Sequence, residues 1–522
     1  MDRFDKRDLL RAAAGLAVFG GLPPMAALAQ PPKEDPFTLG VAAGDPAPDG
    51  FVIWTRLATR PLEHGGGLPM RTIPVRWEVA EDDGFRRIVQ VGDALARPEL
   101  GHSVHVELTG LRPAARYWYR FHAGQASSRI GRARTTPAPG AAPGQVRLGV
   151  AGCQHYEQGL YTAYAHLAAE GELDAVFHYG DYIYEGRSGV ACLPINGDKT
   201  CFRQHAGDEI YSLDDYRRRY AQYKTDPDLQ AAHAVAAFIP TFDDHEVDNN
   251  WAGRADQDGA PPEIFALRRA AALQAWYENM PVRRAQFPDR GAIVAHRQIQ
   301  YGDLLRIHVL DTRQHRSGLV CGGGKPTAPC EPIGTPGSML GAAQEAWLAR
   351  GLTQPTRWNL LAQQVMVMPF LYPASRPSGR ANEDSWSGRP DARQRLIRTI
   401  QDRGLTNVVI STGDVHKHHA GVVPSREGAL DSPPVATEFV STSISSGGDG
   451  YDMPPGWEGV AADNPQCRLS NGRRGYQVFD IRPDAWTTDL RVIDKVSAPG
   501  GRVSTLARFA VEPGHPGLHA SG

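Results

Sequence analysis

At 522 residues the chain exceeds one ordinary hydrophobic core and is expected to divide into two domains with loop insertions. Its 41% hydrophobic and 22% charged content fits a soluble globular protein, and 56 glycines with 41 prolines make it loop-rich. A formal net charge of −2 gives no electrostatic basis for a nucleic-acid or anionic-membrane partner, so none is expected.

The first 29 residues read as an export signal. A charged start leads into a short apolar stretch, and Ala27-Leu28-Ala29 supplies small residues for cleavage before Gln30. Lys6-Arg7 ahead of Asp8-Leu9-Leu10 resembles a twin-arginine signal in which Lys replaces the first Arg, which makes the Tat export machinery the expected partner. The apolar run falls well short of the ~20 residues of a membrane span, so no stable membrane anchor is expected. The mature chain is placed in the periplasm or outside the cell.

Residues 36–137 read as all-β, because FVIWTRL, VRWEVA, HVELTGL and ARYWYRFHA alternate apolar and polar residues between Gly, Pro and Asp. LTGLRPAARYWYR resembles the tyrosine corner of fibronectin type III/Ig-like sandwiches. TTPAPGAAPGQ (135–145) then reads as a linker. From 146 to 510 apolar strands capped by polar residues alternate with helices such as APPEIFALRRAAALQAWYENM, which describes an α/β or α+β layered domain. Ligands in such folds collect at the carboxyl ends of strands. Of the six cysteines, Cys192 with Cys201 and Cys321 with Cys330 could each close a small surface loop, which leaves Cys153 and Cys467.

Four segments place chemistry at strand ends. Gly152-Cys153 follows RLGVA, where the thiol serves either as a small buried hydrophobe or as a transition-metal ligand. Gly180-Asp181-Tyr182-Ile183-Tyr184 ends DAVFHY, with Tyr184 placed to return a phenolate to an ion held by Asp181, and Tyr182 expected under the loop. TFDDHEVDNN (241–250) crowds Asp243, Asp244, Glu246 and Asp248 around His245, Asn249 and Asn250, and ionising so many neighbours together is costly without a positive charge among them. Gly413-Asp414-Val415-His416 follows TNVVIST, and an extended backbone would point residues 414 and 416 to one side, with His418 at the same parity.

In this order the four segments resemble the metallophosphoesterase superfamily, whose pattern runs Asp…Gly-Asp-x-x-Tyr…Asn-His-Glu…Gly-His-x-His. Cys153 for the first Asp, Asp244 for the Asn and Asp414 for the first His resemble the PhoD-type alkaline phosphatases, as do GVAAGDPAPDGFVIWTRL (40–57) and FVSTSISSGGDG (439–450). The resemblance implies a metallophosphoesterase-like two-sheet sandwich flanked by helices, preceded by the β-sandwich domain. It implies Fe³⁺ held by Cys153, Asp181, Tyr184 and His416, with Asp181 bridging to one or two Ca²⁺ held by Asp244, Asp414 and Asn249, where a one-residue shift would exchange Asn249 for Asp248. Gln363, Gln364 and Met366 stand where purple-acid-type relatives supply a His, so the second ion is expected to be oxygen-rich.

The expected reaction is hydrolysis of a small phosphate-ester substrate by attack of a metal-bound hydroxide. His245 is expected beside the ester oxygen, and Glu246 is expected to orient His245 or a metal ligand. Monoesters are the expected substrates. The competing readings are a phosphodiesterase or phospholipase D-like enzyme of the same family, and an inactive extracellular binding module. The chain has no Gly-x-Ser-x-Gly elbow, and GLVCGGGKPT places Pro where a P-loop needs Ser or Thr.

Overall fold

The computed structural model describes residues 29, 32–192, 201, 203–321, 329–373, 380–453 and 457–521, so the expected export signal lies outside the described residues except for Ala29. Four mutually parallel strands form the centre of a ten-stranded sheet: Val146–Ala151, Ala175–His178, Ala237–Pro240 and Val41–Ala47. Gly50–Arg56 and Ser103–Glu107 extend it antiparallel on one side, and Gly475–Ile481, Trp486–Ile493, Val503–Glu512 and His515–Ala520 on the other.

A second sheet has seven strands and repeats the plan. Leu305–Val309, Trp358–Ala362, Val408–Thr412 and Pro434–Val440 run parallel, with Arg297–Tyr301 on one edge and His418–Pro424 and Cys467–Asn471 on the other.

Strand alternation decides how the layers stack. Leu148, Val150, Phe177 and Ile239 face Ile307, Leu360, Val409 and Phe439 in one core between the sheets. Their neighbours Val176 and Phe238 turn the other way, onto the helices Thr162–Ala168, Leu213–Lys224, Pro227–Val235 and Pro262–Asn279. Leu361 and Ile410 likewise meet Leu348 of Gly341–Gly351 and Leu396 of Pro390–Asp402. Strands buried on both faces explain the nearly continuous apolar runs of the sequence. Two mixed sheets thus share one core and carry helices on their outer faces.

The N-terminal region differs from its expectation in connectivity. Ile73–Ala80, Ile88–Ala96 and Arg116–Ala123, with Ala126–Ser127 and Gly131–Arg134, form a separate five-stranded sheet. Its tyrosine corner is present, for the Tyr117 hydroxyl accepts the N–H of Arg112 at 2.9 Å. The sheet it packs on, however, is the edge of the ten-stranded sheet, where Ala43 pairs in parallel with Ala237. The linker at 135–145 therefore divides the sequence but not the sheet. At the other end, the unit expected to stop at 510 continues through the strand His515–Ala520. Cys192 is bonded to Cys201 and Cys321 to Cys330, while Cys153 and Cys467 are free and buried.

Candidate metal centre

The carboxyl ends of the parallel strands of both sheets converge, and every segment singled out in the sequence lies there. After Val146–Ala151 comes Cys153, after Ala175–His178 comes Asp181, after Ala237–Pro240 come Asp243 and Asp244, and after Val408–Thr412 come Asp414 and His416. The turns are tight. Cys153, Asp181, Asp414 and His416 all have positive φ, between 51° and 67°, a conformation that costs a non-glycine residue energy and clusters at functional sites. The preceding glycines make room: a Cβ on Gly152 or Gly413 would stand 2.4 or 2.1 Å from the ring of Tyr179. Residues 414–416 form a bend and not the extended backbone expected, and Asp414 and His416 enter separate, neighbouring clusters.

Three clusters form a chain. Ligand atoms of Cys153, Asp181 and His416 lie within 4.8 Å of one another, as do those of Asp181, Asp244 and His245, and those of Asp243, Asp244 and Asp414. Asp181 belongs to the first two and Asp244 to the last two. Tyr184 completes the first, its hydroxyl 2.8 Å from Asp181 Oδ2 and 3.1 Å from His416 Nε2. His418 stays out, buried with Nε2 3.3 Å from the carbonyl oxygen of Arg491.

The electrostatics fit a cation. Burial, then Asp181 and Asp414, push the Cys153 thiol well up, and burial with Asp181 and Cys153 does the same to the Tyr184 phenol. Burial, then Asp243 and Asp384, raise Asp414. Burial holds His416 down and neutral, the form that binds metals. Asp181 Oδ1, Asp243 Oδ2 and Asp244 Oδ1 are buried without a hydrogen-bond partner. A bound ion reverses this logic, stabilising thiolate, phenolate and carboxylate together. The described donor set therefore suits bound metal.

His245 is held by a residue that no motif announced. Its Nδ1 lies 2.7 Å from Glu185 Oε2, whose other oxygen accepts the N–H of Asn249 at 2.9 Å. Burial opposes a charge on His245, but Glu185, Asp244 and Asp181 outweigh it and raise the imidazole well above its usual range. Glu246 is not the partner of His245. It accepts the backbone N–H groups of Asp181 at 3.0 Å, Tyr182 at 2.6 Å and Asp243 at 2.9 Å, and so clamps two of the turns together. Asp248 is turned onto Arg268 at 3.0 Å.

The sequence profile described as "PhoD-like phosphatase" matches residues 148–490, and that described as "PhoD-like phosphatase, N-terminal domain" matches residues 24–137. The chain belongs to the PhoD-like phosphatase family. It is accordingly a hydrolase of phosphoric esters. It is 43% identical over 484 residues to "Alkaline phosphatase D" of Bacillus subtilis (strain 168), covering 92% of this chain and 82% of that one. The solved "Structure of PhoD" superposes with a TM-score of 0.88 at 41% identity, covering 95% of this chain and 94% of the other.

Other positions in this PhoD-like phosphatase depart from the sequence reading. Gln364 donates to Thr241 and Leu310 and accepts from Thr312, Gln363 accepts from Trp386, and Met366 lies in the core of the second sheet, so these three are occupied elsewhere. Asp243, which is absent from the expected ligand set, stands in the third cluster. Its counter-charge is Arg313, fully buried and 2.6 Å away, which sequence reasoning missed. The available signal was LDTRQHR, a charged run ending the apolar strand LLRIHV just as the four recognised segments end theirs.

Proposed function

We propose that the enzyme is an exported alkaline phosphatase acting on phosphate monoesters, with Fe³⁺ held by Cys153, Asp181, Tyr184 and His416 and Ca²⁺ by Asp244, Asp414 and Asn249, Asp181 being shared. The observation that carries this is the sharing of Asp181 and Asp244 along one chain of clusters. One thiolate, one carboxylate and one phenolate beside a neutral imidazole suit a trivalent ion, and the oxygen-only second set suits a hard divalent one. Bound there, the two ions would neutralise phosphoryl oxygens and acidify a water.

The chain's own groups do the rest. Glu185 keeps the proton on His245 Nδ1, which leaves Nε2 to meet the ester oxygen and give a proton to the leaving group. Glu246 fixes the backbone on which Asp181 and Asp243 stand. Asp248, paired with Arg268, favours Asn249 as the side chain from that loop. Export through the Tat route rests on Lys6-Arg7 and Ala27-Leu28-Ala29, and no helix among the described residues is long and apolar enough to cross a membrane.

Elemental analysis of the mature protein beside Cys153→Ala and Tyr184→Phe tests the centre. Iron and calcium in the native protein are expected, with a visible tyrosinate–iron band that Tyr184→Phe abolishes. Zinc alone, or full activity without Cys153, would sink it. Faster turnover of a monoester than of its bis-ester is the expected substrate preference, and the reverse order would favour the diesterase reading.

A further inference from the structure

Among Asp243, Asp244, Asp384 and Asp414, around the third cluster, sits a side chain with no part in the chemistry above. Arg313 follows the strand Leu305–Val309 and is completely buried. Its Nε donates to Asp243 Oδ1 at 2.6 Å, and its terminal nitrogens grip the two oxygens of Asp384 at 2.8 and 2.7 Å. Nη2 also lies 3.4 Å from Asp244 Oδ1 and 4.0 Å from Asp414 Oδ1. Arg316 puts a second guanidinium on Asp384 at 2.5 Å.

The charges do not balance within the protein. Asp243, Asp244, Asp384 and Asp414 offer four negative charges, Arg313 and Arg316 two positive ones, and two negative charges remain. The hydrogen bonds are equally one-sided. Arg313 satisfies Asp384 at both oxygens and Asp243 at one, yet Asp243 Oδ2 and Asp244 Oδ1 stay buried without a hydrogen bond. A guanidinium is planar, always charged and fixed by its fork of donors, so it cannot leave or exchange as a metal ion does. It neutralises part of the cluster while leaving free oxygens for an ion.

We propose that Arg313 is a built-in counter-cation of the second ion site: it supplies a fixed positive charge in place of an exchangeable one, anchors Asp243 and Asp384 on its own nitrogens, and thereby sets the site's preference for divalent over trivalent ions. This rests on the reading of Asp244, Asn249 and Asp414 as the second ion's ligands. Arg313 acts through the aspartates and is a positioning residue. A purely structural arginine would alter stability on removal but leave the choice between ions of different charge unchanged.

The test uses iron-loaded, calcium-stripped protein, with terbium luminescence reporting Tb³⁺ binding and its displacement by Ca²⁺. Near-UV circular dichroism and the visible iron band check the fold and the first cluster. Arg313→Met is expected to raise the Tb³⁺ to Ca²⁺ affinity ratio about tenfold or more, because it removes a unit charge that lies between 2.6 and 4.0 Å from the carboxylates. Arg313→Lys is expected to keep the wild-type ratio, and Asp384→Asn to lower it. An unchanged ratio in folded Arg313→Met overturns the proposal. If that variant fails to fold, Asp384→Asn decides, and a ratio unchanged or raised there overturns it equally. Wild-type protein that binds neither ion refutes the two-ion reading itself, and the role of Arg313 with it.

Discussion

Glu185 Oε2 meets the Nδ1 of His245 at 2.7 Å, and the ring of Tyr184 lies 4.1 Å from that imidazole, so His245 is fixed in both direction and plane. Removing such a supporting carboxylate usually costs about 10- to 100-fold in activity. We therefore expect Glu185→Ala to lower kcat within that range while KM and iron content stay near wild type, and steady-state kinetics beside an iron assay measures it. Loss of iron instead would make Glu185 part of the metal cluster's support. Single residues also show where sequence reading stops. Cys153, Asp181, Tyr184 and Asp244 stand in motifs because each follows its own strand closely. Glu185 and Arg313 act on partners 60 and 70 positions away, and nothing local marks such a contact. Glu246 shows the same limit: its sequence neighbour is His245, but its partners include the N–H groups of Asp181 and Tyr182, so its contacts fit the second of its two expected roles, orienting the segment that carries Asp181.

Among the elements, the strand Pro434–Val440 carries a charge that its neighbours must accommodate. Glu438 is fully buried and accepts the N–H groups of Val367 and Met368 and the Thr412 hydroxyl, which ties the segment after Trp358–Ala362 to the adjoining strand Val408–Thr412. Burial raises its carboxyl to about 7 against these donors, from an ordinary value of 4.5. The folded chain thus holds a proton that the unfolded chain releases near 4.5. Its contribution to stability is complete below that pH and is lost as pH rises through 7, an effect of about 3 kcal/mol at most. The urea midpoint is expected to fall between pH 5 and pH 8, and Glu438→Gln to flatten that fall. An equally steep fall in the variant would assign the pH dependence to other groups. The strands and helices themselves were legible, since apolar runs ending in polar turns are what buried parallel strands require.

For the whole molecule, the N-terminal region is welded to the catalytic one. Ala43 pairs with Ala237, Trp54 Nε1 donates to the carbonyl of Glu278 at 3.0 Å, and Lys224 Nζ lies 4.2 Å from the centre of the Trp54 ring. A catalytic fragment starting at 146 would expose the open edge of Ala237–Pro240 to solvent and to other chains. Cleavage at a protease site placed in the exposed linker near Gly140 is expected to leave both pieces together on gel filtration with activity intact, whereas residues 146–522 expressed alone should aggregate. A soluble, active 146–522 fragment would refute the welded arrangement.

The sequence by itself determined the layered architecture, the four segments that end in chemistry and the family they belong to, because periodicity and short-range motifs are local properties of a chain. Tertiary structure alone decided that the N-terminal strands join the catalytic sheet, that Glu185 holds His245, and that a guanidinium stands among the aspartates. Each of these is a pairing between distant segments. In two stacked sheets whose parallel strands all end at one edge, such pairings follow from strand order and the reach of side chains, and neither can be read from spacing along the chain.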